Sequence, residues 1–240
     1  MWRVPRRVET GTSSINGSIV GTGNLEKRGA GRLDLAGAVG NTFTGLTTVS
    51  EGRLHLNNTG GNSIGGDLTI TTGGMVTFGR SHQIVDTATV TMSDSGSVFN
   101  GTGVNGGQAG VTETFANFLV TGGVFNTSSG SWTITGAGSF TGGTGNTTMV
   151  GNSGTTLLSF GSLALVDMTS TSGLTPNSFT LYGNSTGRVS TMRVGSGGLT
   201  LDNSNLNLRR GSAGTLGSRL ILDGDVTTIG TSPSTIREDT

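Results

Sequence analysis

Apolar residues along the chain come in short alternating runs. Leu33/Leu35, Leu54/Leu56, Val76/Phe78, Val90/Met92, Trp132/Ile134, Leu199/Leu201, Leu206/Leu208 and Leu220/Leu222 are each separated by one residue. A period of two turns one face of an extended strand towards a core and the other towards water. Gly pairs punctuate the runs, at Gly60-Gly61, Gly65-Gly66, Gly73-Gly74, Gly106-Gly107 and Gly142-Gly143. The pattern predicts many short strands joined by tight turns.

The runs also recur. The phrase G-R-L-x-L stands at Gly31–Leu35 and again, 21 residues on, at Gly52–Leu56. The looser marker Gly-x-Leu/Val begins at Gly31, Gly52, Gly74, Gly96 and Gly122, at intervals of 21, 22, 22 and 26. It returns at Gly138, with Phe140 in the apolar place, and at Gly161 and Gly197, with less regular gaps, and Leu199 to Leu220 is again 21. A period of 20–30 residues holding several strands is the mark of a solenoid. One coil is too small to bury its apolar face. Stacked coils share a core and hydrogen-bond to their neighbours about 4.8 Å away. The expectation is an all-β solenoid of about ten coils, with Leu33 and Leu54 side by side.

Composition supports strands over helices. Gly makes up 45 of 240 residues, where about 7% is ordinary, and each interior Gly costs a helix roughly 1 kcal/mol. With 3 Pro, collagen and proline-rich disorder are excluded. Zero Cys excludes disulfides and thiolate metal sites. Lys and Arg balance Asp and Glu at 14 each, without a basic stripe, so nucleic acid is not an expected partner. Two alternatives fit the pattern less well. Low-complexity disorder needs no phased alternation, and a β-sandwich would carry longer strands and more aromatics.

The stretch Gly21–Asn58 resembles the passenger-associated (autotransporter-associated β-strand) repeat of bacterial autotransporters. The matching positions are Gly21, Gly23, Leu25, Lys27, Gly29, Gly31, Leu33, Leu35, Gly37, Asn41, Phe43, Thr44, Gly45, Thr47, Val49, Gly52, Leu54 and Leu56. The spacing slips by about a residue around Ala38–Asn41. The resemblance implies a right-handed parallel β-helix displayed outside the cell or on the outer-membrane surface. It also implies a C-terminal membrane barrel elsewhere in the gene. The opening MWRVPRRVETGTSS has no apolar stretch, so no signal peptide is expected in it. The close TSPSTIREDT lacks a barrel-like strand series, so a fragment of a longer passenger is expected. The layout is then a disordered or partial start at 1–14, one solenoid at 15–232 with the repeat at 21–58, and a tail at 233–240.

Several strings touch on chemistry. Gly61-Asn62-Ser63-Ile64-Gly65 fits the G-x-S-x-G of serine hydrolases, but no helix is expected to follow, so a turn is the better reading. His55 alternates with Leu54 and Leu56 and is expected to face outward; His82 falls in a loop. Both are taken as surface histidines, because no carboxylate cluster accompanies them. Gly101–Gly106 matches G-x-G-x-x-G without its helix. Asp67, Asp223 and Asp225 sit near glycines without forming a calcium nonapeptide. Sequon-like strings at Asn16, Asn57, Asn126, Asn146 and Asn184 follow from composition. A polysaccharide lyase or hydrolase would need stacking to bring Asp34 beside His55, or Asp202 beside Asp223 and Arg193.

The expected function is a non-catalytic extracellular stalk of an autotransporter-like surface protein. No catalytic, cofactor or metal residues are assigned. The alternative is a polysaccharide-degrading β-helix enzyme. Adhesion to surface glycans or neighbouring cells is a third class, and self-association through exposed solenoid ends is expected because strand edges there lack partners.

Overall fold

A computed structural model of the chain describes residues 4–7, 10–71, 73–93, 98–100 and 110–121, and beyond these a series of strands ending at Asp239 with a few residues between them. Side chains are described at 10–71, 73–93, 110–121, 132–136 and scattered later positions. The first strands are β1 (Val4–Arg7), β2 (Thr12–Ile15), β3 (Leu25–Arg28), β4 (Arg32–Leu35), β5 (Thr47–Val49), β6 (Gly52–Leu56), β7 (Leu68–Ile70), β8 (Gly74–Phe78), β9 (Thr89–Met92), β10 (Val98–Asn100), β11 (Thr112–Phe115) and β12 (Asn117–Val120). Among the described residues there is no helix.

The coils stack as parallel sheets. β1, β3, β5, β7, β9 and β12 lie side by side in one sheet, and β2, β4, β6, β8 and β10 in a second. Each sheet runs on to ten strands among the described residues, and a third, of five, begins at β11. The chain is thus an all-β parallel solenoid. About four turns fall in the region described throughout. The expected count of ten coils depends on turns that lie outside the described residues.

Register follows the repeat. Leu33 pairs with Leu54 and Leu54 with Val76; Leu35 pairs with Leu56 and Leu56 with Phe78. All of these side chains are fully buried. The repeated phrase therefore recurs because one inward column of the core is built from it, coil after coil.

Later the marker and the register part company. Val76 pairs with Phe99, so the marker at Val98 is one residue out of step, although Val98 itself pairs with Val124. Gly138 lies beside Phe118 in the first sheet, whereas Val124 belongs to the second. Leu199 pairs with Val226, and Leu220 with Met192 in the third sheet, so their 21-residue spacing is not a coil period. The cause is the third strand that each coil gains at β11. It lengthens the coil and moves the same short phrase to a different face.

The ends carry strands as well. The 1–14 segment contains β1, paired with β3, and most of β2, paired with β4. The 233–240 segment contains Thr235–Asp239, paired with Asn205–Arg209. Backbone N–H and C=O groups demand partners whatever the side chains, so a charged sequence can be held in the ladder.

Two positions show how close the packing is. Gly52 has φ +64, and a Cβ there would fall on the Gly29 carbonyl oxygen and 2.7 Å from that of Gly31. The glycine of the repeated phrase is fixed by this contact between coils. Thr47 stands in the inward column Leu25–Thr47–Leu68–Val90, fully buried, and its hydroxyl has no hydrogen-bond partner. Further along, Phe78 meets Trp132 edge-on at 5.2 Å, and Phe115 meets Phe118 at 5.6 Å.

Two outcomes follow for denaturant unfolding of the purified chain. Thr47→Val removes an unsatisfied buried hydroxyl and is expected to stabilise by about 1 kcal/mol; a lower unfolding midpoint would show that the hydroxyl is in fact bonded. Gly52→Ala combines a left-handed backbone with a steric clash and is expected to cost about 3 kcal/mol, whereas a neutral result would contradict the close approach of the two coils.

Candidate functional site

Side-chain chemistry collects at the turns, where backbone groups leave the ladders. At the first corner Asn41, buried, accepts the Ile19 N–H at 2.9 Å and donates to the Ser63 carbonyl at 2.7 Å. It thereby ties three successive coils through one amide. Asn58, one coil on, accepts the Gly37 N–H at 2.7 Å and donates to the Asn62 carbonyl at 3.1 Å. Asn24 and Asp67 act similarly in the open, taking the N–H groups of Leu46 and Thr89.

Lys27 enters the core column that continues through Val49, Ile70 and Met92. Its side chain is fully buried, yet its ammonium donates to the carbonyls of Arg28, Gly29 and Glu51. Three protons meet three acceptors, and Glu51 closes the turn by accepting the Gly29 N–H at 3.0 Å. Burial lowers the Lys27 pKa below 10.5, with the Glu51 charge opposing that shift.

On the outer face of the second sheet the register sets Asp34 beside His55 and His55 beside Thr77. Asp34 is engaged by Arg32, through Nη2 at 2.9 Å and through Nε. His55 does not stand in water as alternation predicts. It is buried, and its Nδ1 shares a 2.9 Å hydrogen bond with the Thr77 hydroxyl. Its Nε2 rests so close to Gly79 that a Cβ there would lie 2.8 Å away. The outward position is covered because side chains in register on neighbouring coils sit about 5 Å apart and shield the middle one. Burial, aided by the Arg32 and Arg53 charges, holds the His55 pKa down at about 4.

The most elaborate cluster surrounds Gln83. Its Oε1 accepts the Ser63 hydroxyl at 2.6 Å and the Asn58 N–H at 2.8 Å, and its Nε2 donates to the carbonyls of Asn58 and Ser81. Behind it Glu113, fully buried, accepts the N–H of Gln83 at 2.9 Å and of Ile84 at 3.3 Å. Burial raises the Glu113 pKa to about 8 against the opposing pull of these N–H donors. Above Gln83 lies an open groove of about 420 Å³ lined by Asn58, Thr59, Gly61, Arg80, Ser81, His82 and Gln83.

The sequence candidates can now be placed. Ser63 of the G-x-S-x-G string is buried, with its hydroxyl committed to Gln83. His82 is exposed and has φ +54. Asp202 pairs across strands with Thr169 and Ile229, while Arg193 pairs with Ser159 and Ile221 in the third sheet. The register therefore does not bring Asp202 beside Asp223 or Arg193, because Asp202 lies in the first sheet while Arg193, and the strand that Asp223 follows, lie in the third. Asp223 and Asp225 are exposed after the strand Ser218–Leu222. Gly101–Gly106 lies outside the described residues, as do the side chains of Asn126, Asn146 and Asn184. Among the described residues no group of three or more His, Asp or Glu is arranged to hold a metal ion. Lys27, Asn58, Gln83 and Glu113 carry the most connected chemistry, and sequence reasoning gave none of them a role. For Gln83 and Glu113 the signal was faint: polar residues interrupting otherwise apolar inward positions.

Comparison with known families agrees with the geometry. A family model for the passenger-associated-transport-repeat matches residues 25–56. That range covers the Lys27 corner, Asn41 and the stacked Leu33 and Leu54. No curated protein and no solved structure matches the chain.

The two shifted groups give a defined pH profile. Folded Glu113 keeps its proton to about pH 8 and the unfolded chain only to about 4.5, so this group destabilises as pH rises through that window. Folded His55 stays neutral down to about pH 4 and the unfolded chain only to about 6.5, so this group destabilises as pH falls through its own window. The two effects oppose each other at mildly acid pH, and the Glu113 effect stands alone from 6.5 to 8. Urea midpoints of the wild type are expected to fall across that alkaline half, and those of Glu113→Gln to fall less. Parallel curves for the two proteins would rule out Glu113 as the titrating group.

Proposed function

We propose that the chain is a stretch of the passenger of an autotransporter-like surface protein, and that it serves outside the cell as a non-catalytic stalk within a longer polypeptide. One coincidence carries this reading. The segment that matches the passenger repeat, 25–56, is the segment in which Leu33 and Leu35 stack in register on Leu54 and Leu56. The repeat is thus the unit of the solenoid itself.

The physical properties of such a rod suit the role. Each coil contacts its neighbours only, so stability adds coil by coil and folding can propagate from one end. That behaviour suits a chain that emerges gradually through a membrane. Rigidity comes from parallel ladders, and the formal net charge of zero gives the rod no long-range pull on charged partners.

The non-catalytic reading is supported by how the polar groups are used. Asp34 is taken by Arg32, His55 by Thr77, and the Ser63 hydroxyl by Gln83. Each holds structure together. Adhesion to surface glycans is the finer role we attach to the stalk, at the turns where side chains remain open to solvent.

Surface labelling tests the reading. An antibody raised against the purified chain is expected to stain intact cells expressing the whole gene, and external protease is expected to abolish the signal. Staining confined to permeabilised cells would remove the passenger assignment.

A further inference from the structure

The groove above Gln83 is built differently from the other turns. We propose that it is a binding site for a carboxylate-bearing saccharide, with Arg80 holding the carboxylate and with Ser81 and His82 hydrogen-bonding the ring hydroxyls. This rests on the surface-display reading only for its biological setting; the chemistry below is independent of it.

The first observation is the floor. Gln83 and Asn58 are buried and locked to each other and to Ser63, and Glu113 fixes the Gln83 backbone from behind. A floor whose rotamers are already fixed is preorganised for a polar ligand.

The second is the rim. Arg80 and His82 are exposed, and among the described residues no carboxylate pairs with Arg80. Ser81 accepts the Thr112 N–H at 3.0 Å, which leaves its own proton for a ligand oxygen. The His82 N–H donates to the Thr112 carbonyl at 3.0 Å, so the turn is pinned to the first strand of the third sheet. What remains open is a guanidinium fork, an imidazole and a hydroxyl over an amide floor. A planar fork matches a carboxylate bidentately. The Gln83 amide is fully engaged, so the floor supplies a fixed polar shape, and the Ser81 and His82 groups in a groove with no large apolar side chain match a sugar better than a hydrophobic peptide.

The third is the backbone of His82. Among the described residues it is the one non-glycine with positive φ, at +54, while Gly11, Gly21, Gly29, Gly52, Gly61, Gly73 and Gly110 fill the other such positions. Glycine would take this conformation without the cost of order 1 kcal/mol that a side chain adds. A chain so rich in glycine nevertheless carries an imidazole here, and His82 lines the groove.

The test is binding of tetragalacturonate to the purified chain, compared with its methyl ester, a sulfated oligosaccharide and a polyglutamate peptide. The expected result is that tetragalacturonate binds and the ester does not. Arg80→Ala is then expected to weaken binding roughly tenfold, equivalent to about 1.4 kcal/mol, while Arg219→Ala, at an exposed arginine elsewhere, leaves it unchanged. His82→Gly is expected to weaken binding while holding or raising the unfolding midpoint. Four results would overturn the site: no binding, equal loss from Arg80→Ala and Arg219→Ala, tighter binding of the sulfated probe, or equal competition by polyglutamate. Should Arg80→Ala fail to fold, the ester comparison and His82→Gly still decide. Each result is read on the isolated chain, so failure here leaves the surface-labelling outcome untouched.

Discussion

Each coil of this protein closes the open hydrogen-bonding edge of the one before it. That parallel ladder, held in register, is the constraint on which the remaining structure depends. Register decides that Leu54 lies on Leu33 and Val76 on Leu54, so inward columns form without any residue having to reach across a wide core. A slip of one residue would turn the columns to the outside. The ladder also sets the distance between backbones at the turns, and so dictates where a side chain cannot exist. Gly52 is the clearest case, with its φ of +64 and the Gly29 and Gly31 carbonyls against it.

A thin rod pays for its simplicity at the corners. There the backbone leaves the sheets while still buried, and its N–H and C=O groups must be satisfied locally. The side chains of Asn41, Asn58, Gln83 and Glu113 meet this need by reaching one coil up or down. Lys27 does the same with a charge, folding its ammonium onto three turn carbonyls. Within the matched segment 25–56, Lys27 and Asn41 show why polar residues stand at fixed offsets among the leucines. They act as side-chain rungs of the ladder where backbone rungs are missing.

This division also marks what was legible in the sequence. The alternation of Leu33/Leu35 and Leu54/Leu56 and their 21-residue spacing were enough to anticipate strands, stacking and register. Both signals arise from the ladder and its columns, which repeat. The corner chemistry does not repeat in the same way. Alternation puts His55 on the outer face, yet it is buried against Thr77 and Gly79, which come from the next coil. Gln83 and Glu113 are 30 residues apart, longer than any interval the early marker shows. The third sheet was invisible for a related reason: one more short strand per coil looks like irregular spacing when only the chain is read.

The beginning of that third sheet is also where the rod departs from pure repetition. Through Ile84 the corner of each coil lies directly on the last, as the Ile64–Ile84 bridge shows. Beyond it Thr112, Glu113 and Phe115 enter as a new strand beneath the Arg80–Gln83 turn. A turn stacked between identical turns has neighbours on both sides and little surface to offer. The Arg80–Gln83 turn too is held on both sides, by Ser63 and Ile64 of the preceding coil and by Thr112 and Glu113 of the next, but its neighbours differ and a groove opens outward between it and Asn58, Thr59 and Gly61. A solenoid commits its strand edges to neighbouring coils, and in the described part of this chain the groove over Gln83 forms where that stacking changes cross-section.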